Sequence, residues 1–275
     1  MPELPEVETI RRTLKRLVLN KKIQSVSVFW PKMIKKPEVM EQFIDALVGQ
    51  SIIDINRRGK FLVFYTETYA LVSHLRMEGR YTLYQGEDPV EKHTHVIFHF
   101  TDGTELRYKD VRKFGTMHLF KKGDEFTSLP LSQLGPEPLD ETFDKVEFAQ
   151  KLAKTTRNIK STLLDQTVVV GLGNIYVDEA LFKARIHPER SSQSLTSEEI
   201  HVLYEKIIET LTEAVDKGGS TVRTYVNSQG EMGMFQLEHY VYGRKGEDCK
   251  LCQTPLIRTV VGGRGTVYCP ACQKI

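Results

Sequence analysis

The sequence predicts an α+β protein built from more than one domain. Three observations predict it: short β-rich runs through the first half, helical periodicity beyond a proline-rich stretch, and two Cys-x2-Cys pairs in the tail. At 275 residues the chain exceeds what one hydrophobic core usually holds, which fits two or more domains. Hydrophobic residues make up 40% and charged residues 27%, an ordinary globular balance that excludes wholesale disorder or a fibrous repeat.

Residues 3–18 read as an amphipathic helix. Leu4, Val7, Ile10, Leu14, Leu17 and Val18 recur at three- and four-residue steps. Glu3, Glu6 and Glu8 sit in its first half and Arg11, Arg12, Lys15 and Arg16 in its second, the order the helix dipole favours. Short β-rich runs follow at 23–30, 51–56, 60–66, 69–75, 80–84, 94–100, 104–108 and 115–120, with turn signals such as Thr101-Asp102-Gly103-Thr104 between them. Strands this short and this closely spaced suggest an antiparallel sandwich or barrel. Leu129 to Leu139, with three prolines, reads as a linker. Helical patterns then occupy 144–154, 159–165, 174–184 and 196–217. Thr196 to Glu199 forms a capping-box signature and Gly218-Gly219 a stop. From residue 240 the chain returns to strand and turn chemistry. The domain boundaries expected are 1–134, 135–238 and 239–275.

All four cysteines fall in that tail, as Cys249-x2-Cys252 and Cys269-x2-Cys272. The spacing fits a zinc ribbon with one metal per chain; two disulfides or four unrelated thiols are the competing readings. Four protein ligands leave no open coordination position, so the zinc is structural. The loop between the pairs contains Val261-Gly262-Gly263-Arg264-Gly265. Glycines around one arginine make a tight turn that presents a cation, either to solvent or to DNA.

No apolar run is long enough to cross a bilayer, and the acidic opening MPELPEVETI is unlike a secretory signal. The expected compartment is therefore the cytosol, with no membrane partner. Net charge is +2, but it is unevenly spread: +4 over residues 1–134, −6 over 135–243 and +4 over 244–275. A polyanion site is expected where the two basic ends meet.

Excision of Met1 would leave Pro2 as a free secondary amine. Such an amine attacks an aldehyde carbon and forms an iminium, an electron sink for elimination chemistry. Glu3, beside it, is placed for proton transfer. The same residues are also ordinary choices for a first helical turn.

PELPEVE at the start, Gln166-Thr167-Val168-Val169-Val170-Gly171-Leu172-Gly173-Asn174-Ile175-Tyr176 in the middle and the cysteine ribbon at the end resemble the bacterial formamidopyrimidine-DNA glycosylases. The resemblance runs end to end and is weakest at 31–50, 120–155 and 187–215. It implies an N-terminal β-sandwich carrying a catalytic helix, a helix–two-turn–helix domain and a zinc finger. It also implies removal of 8-oxoguanine and formamidopyrimidines from double-stranded DNA, followed by β,δ-elimination, by a monomer in the bacterial cytosol. By resemblance, Pro2 is the Schiff-base nucleophile, Glu3 its acid or base and Glu6 the supporting carboxylate. Lys60 and Arg264 complete the catalytic set at the phosphates. Met77, Arg112 and Phe114 enter the duplex, and His74, Asn174, Lys160 and Tyr242 contact DNA. Glu78, Ser220, Thr221, Arg223, Thr224 and Tyr225 are expected at the everted base. Met and Phe suit insertion because they replace stacking in an opened step, although both residue types are more often core. Three rival readings remain at this stage: an endonuclease VIII-like enzyme for oxidised pyrimidines, a non-catalytic damage-binding protein, and a zinc-ribbon transcription factor.

Overall fold

The computed structural model describes residues 1–220 and 234–275. Thr221, Arg223, Thr224 and Tyr225 lie outside the described residues. The described chain forms two compact units, Met1–Gln133 and Leu134–Ser220 with Met234–Ile275.

The first unit opens with helix α1, Leu4–Val18. Its buried face is Leu4, Val7, Ile10, Leu14 and Val18, the stripe that the periodicity predicts. Strand β1 is Ile23–Val28, β2 Ile34–Lys36 and β3 Asp54–Arg58, with helix α2, Met40–Leu47, between the last two. There follow β4 (Phe61–Tyr65), β5 (Tyr69–His74), β6 (Arg80–Gln85), β7 (Thr94–Phe100), β8 (Thr104–Lys109) and β9 (Thr116–Lys121). They make two sheets, one ordered β1-β7-β8-β6 and the other β2-β9-β5-β4-β3. All neighbours are antiparallel except β2 and β9. The sheets share one core: Val26, Val96, Phe98 and Leu106 from the first pack with Ile55, Leu62, Phe64, Leu71 and Met117 from the second. Residues 31–50, where the sequence signals no element, hold β2 and α2. The helix is short and its N-cap, Val39, has no capping side chain; it forms because Phe43 and Leu47 are buried in the core.

The second unit carries α3 (Lys145–Ala153), α4 (Ile159–Leu164), α5 (Asn174–Lys183) and α6 (Ser197–Asp216), then the hairpin of β10 (Ile257–Val261) and β11 (Arg264–Tyr268). Helix α6 begins in the expected capping box. The Thr196 side chain accepts from Glu199 N–H at 3.2 Å, and Glu199 Oε2 accepts from Thr196 N–H at 2.8 Å. Helix α5 is buried nearly all round and shares a small core with the hairpin: Phe182, Val241, Leu256 and Val267 beside Cys249 and Cys269. Among the described residues no helix is long and apolar enough to cross a membrane.

Thr196→Ala should remove one half of the box and cost about 1 kcal/mol. Thermal unfolding is expected to shift down by about 2–4 °C, read by circular dichroism, with DNA affinity unchanged.

Candidate active site and DNA-contacting elements

Pro2 and Glu3 are buried at the start of α1. Glu6, one turn on, accepts from Glu3 N–H at 2.8 Å and so fixes the backbone that carries both residues. The helix is then tied to the β3–β4 hairpin through Glu8. That carboxylate accepts from Arg11 at 2.7 Å, Arg12 at 2.8 Å and, more distantly, Arg57 at 3.4 Å. Burial would raise its pKa, yet the hydrogen bonds and charges of the arginines hold it below the usual carboxylate range. Arg57 also donates to Gly59 O at 2.9 Å in the turn that carries Lys60, which is buried.

Lys60 and His74 stand at the same end of the second sheet, since Phe61 pairs with His74 in register. The His74 ring meets Phe61 edge-on with centroids 4.5 Å apart. Its Nδ1 accepts from Arg76 N–H at 2.9 Å. Burial, and then the charges of Arg76 and Lys60, push its pKa down to about 3. The ring is therefore neutral with its proton on Nε2, a hydrogen-bond donor without a charge.

Two loops leave this sheet end. The first, 75–79, carries Met77, 39% exposed, and the half-buried Glu78. The second, 110–115, carries Arg112 and Phe114, the latter 51% exposed. Their exposure excludes the core reading of Met77 and Phe114. The Arg112 guanidinium lies 4.7 Å from the Phe114 ring centroid. Asp110, completely buried, holds the second loop: its carboxylate accepts from Arg112 N–H at 3.1 Å and Gly115 N–H at 2.8 Å. Gly79 and Gly115 both abut the Tyr108 hydroxyl, and a Cβ at either would overlap it. One tyrosine thus sets the height of both loops.

In the second unit the hairpin tip is Val261-Gly262-Gly263-Arg264, with φ of 56° at Gly262 and 74° at Gly263, the two positive values a tight hairpin turn requires. Arg264 is exposed. The strand behind it is gripped by helix side chains. Lys160, on α4, is entirely buried, and its ammonium donates to Asp178 Oδ1 at 2.6 Å, Thr266 Oγ1 at 2.7 Å and Gly265 O at 3.3 Å. The other oxygen of Asp178 accepts from Val267 N–H at 3.2 Å. Burial pushes the Asp178 pKa up to about 7 against the pull of Lys160. Asn174, first residue of α5, donates to Gly265 O at 2.9 Å. Lys160, expected at the DNA, instead fixes the backbone next to Arg264. Ser220 is likewise buried, its hydroxyl 3.0 Å from His239 Nε2 and 3.2 Å from the Tyr176 hydroxyl. Tyr242 is half-exposed, and its N–H, with those of Tyr240 and Val241, donates to the buried Glu179 carboxylate.

The four cysteine Sγ atoms lie within 4.8 Å of one another. Cys252–Cys269 is 3.5 Å and Cys249–Cys272 4.0 Å, far beyond a disulfide bond and near the edge of about 3.8 Å that a tetrahedral zinc–thiolate site has. Leu251 N–H and Cys272 N–H donate to Cys249 and Cys269 Sγ. The donor set fits one structural zinc, which closes the base of the hairpin.

Residues 1–117 match the formamidopyrimidine-DNA glycosylase N-terminal domain, 134–226 its H2TH domain, and 246–275 the zinc finger found in FPG and IleRS. A formamidopyrimidine-DNA glycosylase of Bacillus licheniformis is 61% identical over 274 residues, covering 100% of both chains. That of Bacillus subtilis is 60% identical over 273 residues, 99% of each. The chain belongs to the formamidopyrimidine-DNA glycosylase family. Among solved structures, a Lactococcus lactis family member in complex with abasic-site DNA superposes with a TM-score of 0.93 at 45% identity, over 99% of this chain and 100% of that one. A point mutant of the same bacterium's enzyme with Fapy-dG-containing DNA gives 0.94 at 44%, over 100% of both.

The first unit of this family member brings together Pro2, Glu3 and Glu6 at one helix start, and Lys60, His74, Met77, Arg112 and Phe114 at one sheet end. The second unit gathers Lys160, Asn174 and Arg264. Sequence reasoning missed Glu8, Tyr108, Asp110, Asp178 and Glu179. The tie from Glu8 to Arg57 is distant, although its pairs with Arg11 and Arg12 are local; the others act far along the chain or through backbone N–H groups, and neither leaves a local pattern.

Two outcomes test this geometry. The unfolded chain takes up a proton at His74 near pH 6.5 and the folded one only near 3. The stability from burying a neutral His74 is therefore whole above pH 6.5 and is lost as pH falls toward 3. His74→Asn should flatten the pH dependence of the urea midpoint over that window; a slope equal to the parent's contradicts it. Lys160→Met should leave Asp178 buried without its cation and cost about 3–5 kcal/mol. Lys160→Met/Asp178→Leu should recover much of the loss in melting temperature.

Proposed function

We infer that this chain excises oxidised purines, 8-oxoguanine and formamidopyrimidines, from double-stranded DNA and then cuts the strand at the abasic site. The observation that carries this is the 61% identity, spanning the whole chain, to a relative of that named activity. The Lactococcus lactis structures, bound to abasic-site and Fapy-dG-containing DNA, support the partner. As a bacterial DNA-repair enzyme it works in the cytoplasm, where the chromosome lies, as a monomer. We take 1–134 as the catalytic domain, 135–238 as the DNA-binding helical domain with the segment over the lesion, and 239–275 as the zinc finger.

The chemistry runs through the start of α1. With Met1 removed, the Pro2 nitrogen attacks C1′ of the everted nucleotide, the glycosidic bond breaks and the base leaves. The sugar ring opens as a C1′ iminium joined to Pro2. That cation acidifies the C2′ hydrogen, so β-elimination expels the 3′ phosphate and δ-elimination the 5′ phosphate, leaving a one-nucleotide gap. Glu3, buried beside the amine, moves the protons. Glu6 holds the turn through Glu3 N–H. Lys60 and Arg264 grip phosphates next to the lesion, with Asn174, His74 and Tyr242 as further backbone contacts. Met77 and Arg112 fill the emptied stack and Phe114 wedges the neighbouring step. Glu78, Ser220, Thr221, Arg223, Thr224 and Tyr225 are assigned to the everted base. Ser220 acts there through its backbone, because its hydroxyl is taken up inside the unit. Zinc takes no part in bond making; it keeps the Arg264 hairpin folded.

Borohydride should trap a covalent complex with a duplex bearing 8-oxoguanine opposite cytosine. Pro2→Gly or retention of Met1, the latter of which leaves no free amine at residue 2, should reduce trapping at least 100-fold (roughly 2.7 kcal/mol of barrier or more) and leave most duplex affinity, which phosphate contacts supply. Full trapping by protein that retains Met1, whose Pro2 nitrogen is locked in a peptide bond, would remove Pro2 from the mechanism.

A further inference from the structure

A second cluster adjoins the wedge loop and has no role so far. After β1 the chain exposes Phe29, half-buries Trp30 and turns through Pro31–Met33. The ammonium of Lys113 sits 3.9 Å from the Trp30 ring centroid, and that of Lys32 5.7 Å. Both lysines are exposed, and no acidic residue occurs in 29–33 or 111–115.

This placement is built. Lys113 has φ of +59°, a left-handed conformation that a non-glycine residue adopts only when its surroundings impose it. Asp110 imposes it: its carboxylate binds the N–H groups of Arg112 and Gly115, and its carbonyl accepts from Lys113 N–H at 3.3 Å. The same carbonyl accepts from the buried His95 Nε2 at 2.8 Å, and His95 O accepts from Phe29 N–H at 2.8 Å. Trp30 and Lys113 thus stand on one buried scaffold. The left-handed turn separates the loop's cations: Arg112 stays with Phe114, and Lys113 swings onto Trp30.

We propose that Lys113, seated on Trp30 and flanked by Lys32, clamps a backbone phosphate beside the base step that Phe114 wedges. This rests on the reading of Arg112 and Phe114 as residues that enter the duplex. A residue between the two has its Cα about 3.8 Å from each neighbour's, so it lies within a nucleotide or two of the opened step. An indole face orients an ammonium through its π-cloud and leaves N–H groups free for a phosphate. The phosphate can belong to the lesion strand or to its complement, and the test separates the two.

The test is equilibrium binding of the full chain to a duplex with a tetrahydrofuran abasic-site analogue, across a salt series. Lys113→Met should weaken binding roughly 3- to 10-fold at 0.1 M salt and lower the salt slope by about one. Lys113→Arg should restore the slope, which a folding defect would not do. A neutral methylphosphonate placed singly along each strand should reproduce the loss at one position and add nothing in Lys113→Met; the strand carrying it identifies the phosphate. An unchanged slope in Lys113→Met, or equal methylphosphonate effects in parent and variant at every position, overturns the clamp. If the parent gives no borohydride adduct on 8-oxoguanine DNA, the glycosylase reading itself fails. An active parent with an insensitive Lys113 sinks only this inference.

Discussion

The second unit depends on a single ammonium group. Lys160 has three N–H bonds and uses all three inside the protein, on Asp178, on Thr266 and on the carbonyl of Gly265. A buried lysine is costly unless its charge and every proton are met. Here the cost is offset by joining three elements: α4 supplies the lysine, α5 the aspartate, and β11 the hydroxyl and carbonyl. The junction adds to the small apolar core that Phe182 and Val267 share and to the cysteine cluster, and a two-stranded hairpin is marginal alone. Asn174, on the same carbonyl, adds a second hold. Arg264 is exposed, but the residues immediately after it are fixed.

The first unit holds its two exposed loops by other means. Its two exposed loops are set by a tyrosine hydroxyl against two glycines and by one buried carboxylate that binds backbone N–H groups. The side chains projecting into solvent, Met77, Arg112 and Phe114, contribute little to that support. Rigid footing and free tips go together here. A projecting side chain is available to a partner, and a fixed backbone keeps it in place when one is met.

Much of this was legible in the sequence, and its limits have physical causes. Helix α1, eight of the strands and helices α3 to α6 follow from periodicity and caps, because those signals are local. The short β2 and α2 were not legible, since burial of Ile34, Phe43 and Leu47 forms them and no cap announces them. The cysteine cluster was legible because Cys-x2-Cys spacing is itself the geometry of a knuckle. Lys160 was misplaced for an instructive reason. A lysine near a phosphate-binding motif looks the same in sequence whether it faces DNA or an aspartate eighteen residues on. Only the fold shows that Asp178 reaches it.

The neutral state of His74 has a consequence for how DNA binding is divided. Lys60 and Arg76 already place positive charge around that ring, and together with burial they keep a further proton off it. A neutral imidazole offers a phosphate a directed hydrogen bond but displaces no counterion, so it adds nothing to the salt dependence of binding. In the proposed complex the exposed cations of this sheet end would supply the salt-sensitive, sequence-blind attraction. There His74 would supply geometry rather than charge. With its pKa held down near 3, the ring of the free protein stays neutral across the physiological pH range. In the proposed complex, then, charge would carry the salt-sensitive part of binding and His74 one directed bond.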